Sequence, residues 1–161
     1  VMTLTSEQFY AADVSRWHAS VVPELRDCGD TIQSHQQRCL WYVERLVGSP
    51  SQSLLDATRW HDQPEVILGD MPYTTKRDYP ALSAAWGEEE QKVIKQYDVP
   101  QPQGQQQRDM IKLVDRIDAY NTMRLYAPRL TDNDDWTFAR LWIMDQAEAM
   151  GVYSKVAHII S

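Results

Sequence analysis

The stretch His61-Asp62-Gln63-Pro64-Glu65-Val66-Ile67-Leu68-Gly69-Asp70-Met71-Pro72 decides how this chain is read. An adjacent His-Asp pair offers one metal ion a nitrogen and an oxygen from neighbouring backbone positions. In a continuous helix, neighbouring side chains diverge by about 100°. Both can reach one ion only where a helix ends or bends. Pro64 lies two residues beyond Asp62 and disturbs a helix at that point. The stretch therefore predicts a helix that stops at His61-Asp62, a short turn from Pro64 to Leu68, and a close at Gly69.

Upstream, Ser51 opens the helix that ends at the pair. Before it a long helix is expected from Thr31 to Val47, with Ile32, Cys39, Leu40, Val43, Leu46 and Val47 as its apolar stripe and Gly48 as its stop. His35 falls three after Ile32 and four before Cys39, so it faces the core. Pro23 to Asp30 reads as a loop, and Thr5 with Gln8 makes a capping box for a first helix to about Trp17. Downstream, residues 69–79 read as an irregular loop carrying Asp70, Lys76 and Arg77. Pro80 starts a helix to about Tyr97, and the Pro/Gln/Gly segment 98–106 reads as a linker. A helix from Gln107 to Tyr126 carries Asp115 and Asp118, and a last one runs from Asp134 or Asp135 towards His158. No strand alternation is found. The expectation is an all-α single domain over residues 1–161, with about seven helices.

The formal charge of −7 argues against a duplex-binding surface, which needs clustered Lys and Arg. It leaves room for a nucleotide, whose phosphates a metal and a few basic residues can neutralise locally. No apolar run is long enough to span a membrane, and the first residues carry no signal-peptide pattern. Cys28 and Cys39 have no CxxC spacing, which suggests reduced thiols and a cytoplasmic setting. The many tryptophans, on helices expected at the surface, suggest subunit contacts and a homo-oligomer.

Two imidazoles and two carboxylates can hold a divalent ion and leave positions for water and a phosphate oxygen. His35, His61, Asp62 and Asp115 supply that set, with Glu65 and Asp70 as acid/base groups or ligands of a second ion. Zn, Co, Mn, Mg and Fe all suit mixed nitrogen and oxygen ligands. Taken singly, each residue has a plainer reading: a core histidine, a helix-surface acid, a solvated turn. Glu88-Glu89-Glu90 reads as a solvated helix face that could also pair with a basic residue at the site.

Arg16-Trp17, Ser34-His35, the block from His61 to Pro72, and Lys112-Leu113-Val114-Asp115 followed by Ala119-Tyr120 together resemble one branch of the metal-dependent HD phosphohydrolases. That branch contains bacterial 5′-deoxynucleotidases and phage dATP triphosphohydrolases linked to diaminopurine DNA. The resemblance implies His35, His61, Asp62 and Asp115 as metal ligands, with Asp115 preferred over Asp118. It implies Glu65 and Asp70 as catalytic groups and Lys76 as a contact to phosphate. It also implies that Arg16 meets phosphate while Trp17 closes off the sugar and favours deoxyribose. The activity it implies is hydrolysis of dATP or another dNTP to deoxynucleoside and triphosphate, in host cytoplasm for a phage protein. The alternatives are a 5′-deoxynucleotidase acting on dNMPs and, without turnover, a helical nucleotide-binding or interaction module.

Overall fold

The structure, a computed structural model, describes residues 14–161, and every regular element in them is helical. In chain order these are α1 (Pro23–Arg26), α2 (Ile32–Val47), α3 (Gln52–Trp60), α4 (Gln63–Leu68), α5 (Tyr73–Asp78), α6 (Pro80–Tyr97), α7 (Gly104–Tyr126), a 3₁₀ turn (Pro128–Leu130), α8 (Asp134–Ala149) and α9 (Tyr153–Ile159). Among the described residues the only β-pairing is an antiparallel bridge between Ser15 and Thr31. The capping box at Thr5 and Gln8 lies outside the described residues. The end of the helix it was expected to open does not, and residues 14–17 are extended or bent rather than helical.

The core forms where α2, α3 and α7 meet, with α8 and α9 closing its far side. α2 keeps its expected bounds. Thr31 caps it by accepting from the Ser34 N–H at 3.2 Å, and Gly48 at φ 78° ends it. Its buried face repeats at helical spacing through Ile32, His35, Cys39, Val43 and Leu46. Val47, expected in that stripe, is exposed instead, and Tyr42 is buried in its place. α7 answers with Leu113, Val114, Ile117 and Met123, all fully enclosed.

α3 stops where the sequence said it must. His61 is the last residue with helical angles, and Asp62 at φ −98°, ψ 12° begins α4, with Pro64 in its first turn. The expected turn at 64–68 is a short helix, closed by Gly69 at φ 88°. The expected loop at 69–79 contains α5, which has no buried residue and so showed no apolar period. The expected loop at 23–30 likewise contains the single turn α1. α7 begins at Gly104 rather than Gln107 because the Gln107 side chain reaches back to accept the Gln103 N–H at 2.7 Å. Its amide also donates to Ser53 at 3.0 Å, tying the start of α7 to α3. The single last helix is split in two by Gly151 at φ 69°. No helix among the described residues is long and apolar enough to cross a membrane.

Candidate metal centre

α2, α7 and the α3–α4 joint converge on one point. His35 comes from α2, His61 and Asp62 from the joint, and Asp115 from α7, and one ligand atom from each lies within 4.8 Å of the others. His35 Nε2 is 3.1 Å from His61 Nε2, 3.0 Å from Asp62 Oδ2 and 3.4 Å from Asp115 Oδ1. The break between α3 and α4 is what lets neighbours 61 and 62 face the same point. The Asp62 carboxylate makes no capping bond to α4, so it is left for this cluster.

The outer nitrogens fix the tautomers. His35 Nδ1 lies 2.8 Å from Asp118 Oδ2, and His61 Nδ1 lies 2.7 Å from the Thr58 carbonyl. A carboxylate and a carbonyl only accept, so both Nδ1 atoms donate, and both Nε2 lone pairs turn inward. Two imidazole lone pairs 3.1 Å apart, flanked by two carboxylates, repel one another without a positive charge between them. The surroundings favour such a charge. Burial opposes it, yet the Asp118 and Asp62 carboxylates beside it hold His35 above the ordinary histidine value. The residues present therefore fit a divalent ion, and the two nitrogens and two oxygens are a donor set that suits one.

A second grouping, His35, Cys39 and His61, also has its ligand atoms close together. Cys39 Sγ is 3.7 Å from both ring nitrogens of His35, so it lies beside the ring rather than along one lone pair. Burial pushes its thiol up to about 11, so it is no thiolate near neutral pH. The set with Asp62 and Asp115 is the better ligand shell.

Behind His35 lies an ionic network that sequence reasoning did not find. Asp118, fully buried, accepts from Arg16 Nη1 at 2.9 Å and from Arg38 Nη2 at 3.0 Å. Asp30, also buried, accepts from the same two arginines, at 3.2 Å and 2.9 Å. Burial works against the Asp118 anion, but His35 and Arg38 outweigh it and hold its carboxyl below the usual range. The available signal was the placement of Asp118 on the apolar face of α7, four residues after Val114 and seven after Ile111. A carboxylate there needs partners.

Arg16, expected to meet phosphate, is thus largely engaged by Asp30 and Asp118. Its Nη2 lies 4.0 Å from Asp115 Oδ1, which keeps it beside the cluster. Trp17 sits at φ 63°, an unusual angle for a bulky residue, with the Arg16 guanidinium carbon 5.3 Å above its ring and Trp136 at 6.3 Å. Glu65 lies on the other flank, 3.9 Å from Lys76 Nζ. Burial and the negative charges of Asp62 and Asp70 push Glu65 up to about 9. Glu90, from the acidic run expected to be a solvated face, is half-buried and raised by that burial, with the charges of Lys76 and Asp62 also acting on it. Comparison with protein-family models, with curated proteins and with solved structures finds no match to this chain.

Proposed function

We propose that the chain is a metal-dependent phosphohydrolase of deoxynucleotides, with dNTPs as substrates, dATP first among them, and deoxynucleoside and triphosphate as products. The observation that carries this reading is the pair of inward Nε2 atoms, 3.1 Å apart, with Asp62 and Asp115 at their side. The likeness of the surrounding motifs to the HD phosphohydrolases supplies the substrate class. A divalent ion held by these four residues would draw charge from a phosphate oxygen and lower the pKa of water.

The rest of the work falls to the chain's own side chains. Glu65, protonated near neutral pH, can give a proton to the leaving oxygen. Asp70 helps to keep it protonated, and Lys76 supplies positive charge on the same flank. Arg16 offers its Nη2 edge beside Asp115. The Trp17 indole, held at a strained backbone angle, would pack against C2′ and leave a ribose hydroxyl no partner. A homo-oligomer belongs to the same proposal, since Phe138 and Leu141 stand exposed on α8.

The test is a product assay by chromatography with dATP, dAMP and ATP in parallel, beside a metal analysis of the same protein. Deoxyadenosine and triphosphate from dATP, with ATP hydrolysed far more slowly, are expected. Turnover of dAMP alone would make it a 5′-deoxynucleotidase. A metal-loaded protein that cleaves none of the three would overturn the reading.

A further inference from the structure

Beside the metal centre a cleft of about 300 Å³ opens between the end of α6, the Pro100-Gln101-Pro102 loop and the first turns of α7. His61 and Asp115, two of the four candidate ligands, line it. So do Arg108 and Lys112, four residues apart on α7 and therefore neighbours on one face. Asp115 follows Lys112 by three residues. The row Arg108, Lys112, Asp115 thus runs along the helix from the cleft to the metal centre, about 10 Å in length.

These two cations differ from Arg16 and Arg38, which are tied to Asp30 and Asp118. Among the described residues neither Arg108 nor Lys112 has an acidic partner. Arg108 makes only long contacts, 3.4 Å and 3.3 Å, to the neutral Gln105 amide. Lys112 rests its ammonium 5.3 Å over the Trp142 ring. In a chain of net charge −7, two cations without a counter-charge beside a cluster of acids are an uneven distribution. An anion lying along α7 would balance it, and the positive start of that helix favours the same sign.

We infer that Arg108 and Lys112 form a subsite for the anionic chain that a substrate carries beyond its reacting phosphorus, so the cleft selects polyphosphates over monophosphates. This rests on the phosphohydrolase reading for its reacting phosphorus, but not for its ligand. The Pro100-Gln101-Pro102 loop and Ile94 line the cleft across from these two side chains.

The experiment is calorimetric titration of the purified protein with inorganic tripolyphosphate and with orthophosphate, in excess magnesium. Wild type is compared with Arg108→Gln/Lys112→Gln and with the surface control Arg26→Gln. Wild type and control should prefer tripolyphosphate. The double variant should lose roughly tenfold or more in tripolyphosphate affinity, with orthophosphate unchanged. Both side chains are exposed, so circular dichroism should stay native. Arg108→Lys, which keeps the charge, should restore most of the loss to a single Arg108→Gln variant. In turnover the double variant should raise KM for dATP and leave KM for dAMP alone. Equal tripolyphosphate affinity in wild type and double variant overturns the subsite. A wild type that binds tripolyphosphate through these residues yet cleaves no nucleotide overturns the hydrolase reading and leaves the subsite standing.

Discussion

Asp118 meets a ring N–H and two guanidinium groups at once, with no exposed surface of its own. It orients His35 from behind and keeps the Nε2 lone pair pointed into the His61, Asp62 and Asp115 cluster. Asp118→Asn should therefore weaken metal binding by roughly 10- to 100-fold. It should also destabilise the metal-free protein by about 3 kcal/mol or more, since Arg16 and Arg38 lose a buried counter-charge. Competitive metal titration and thermal melts under chelation read the two effects apart. Glu65→Gln tests the other flank. It should cut turnover by roughly 10²-fold or more and keep the metal content of wild type. Full activity in that variant removes Glu65 from the chemistry. At this scale the sequence is most legible where residue type and helical phase agree. His35 sits in an apolar stripe, and a histidine there faces inward. Asp118 obeyed the same rule on α7. Choosing only one aspartate of that helix as a ligand left the second without a role. Arg38 gave no such sign, because it is an ordinary surface residue until Asp30 and Asp118 arrive from elsewhere in the chain.

The element that matters most is the joint between α3 and α4. Its two residues are neighbours in sequence and face one point only because the helix breaks there. Pro64 supplies the break, lacking an N–H and crowding the preceding turn. Pro64→Ala removes a bar of about 3 kcal/mol to continuous helix and should let α3 run into α4. Helicity would stay level or rise while metal affinity falls. A variant with more helix and undiminished affinity would show that the break is held by other contacts. The same reasoning separates what could be read from what could not. α2 and the body of α7 announce themselves by their apolar period, and α6 by Pro80 at its first position. α1 and α5 are one or two turns long, bury at most one side chain, and carry no period to detect. The extra turn of α7 depends on a side chain folding back on the backbone, and Ser53, its other partner, is distant in sequence.

Across the whole molecule, the four candidate ligands span residues 35 to 115, so an ion bound there would tie α2, α7 and the joint together. An ion present at a thousand times its dissociation constant adds about 4 kcal/mol of stability. Chelation should therefore lower the melting temperature by several degrees, and re-addition of the preferred metal should restore it. An unchanged melt would mean that nothing binds there. The ligands are also unequally enclosed. His35 is sealed from solvent, while the Asp115 side chain is 38 % exposed and lines the cleft. This asymmetry sets an order in time. Asp115 is the most open of the four, so an ion held there would meet solvent on that side, where a nucleotide's anionic tail would also lie. Loading should come first and substrate second, with the departing ion waiting for product to clear. The rate at which labelled metal exchanges with bulk should fall when nucleotide saturates the protein, and should not fall in a variant whose cleft no longer holds it.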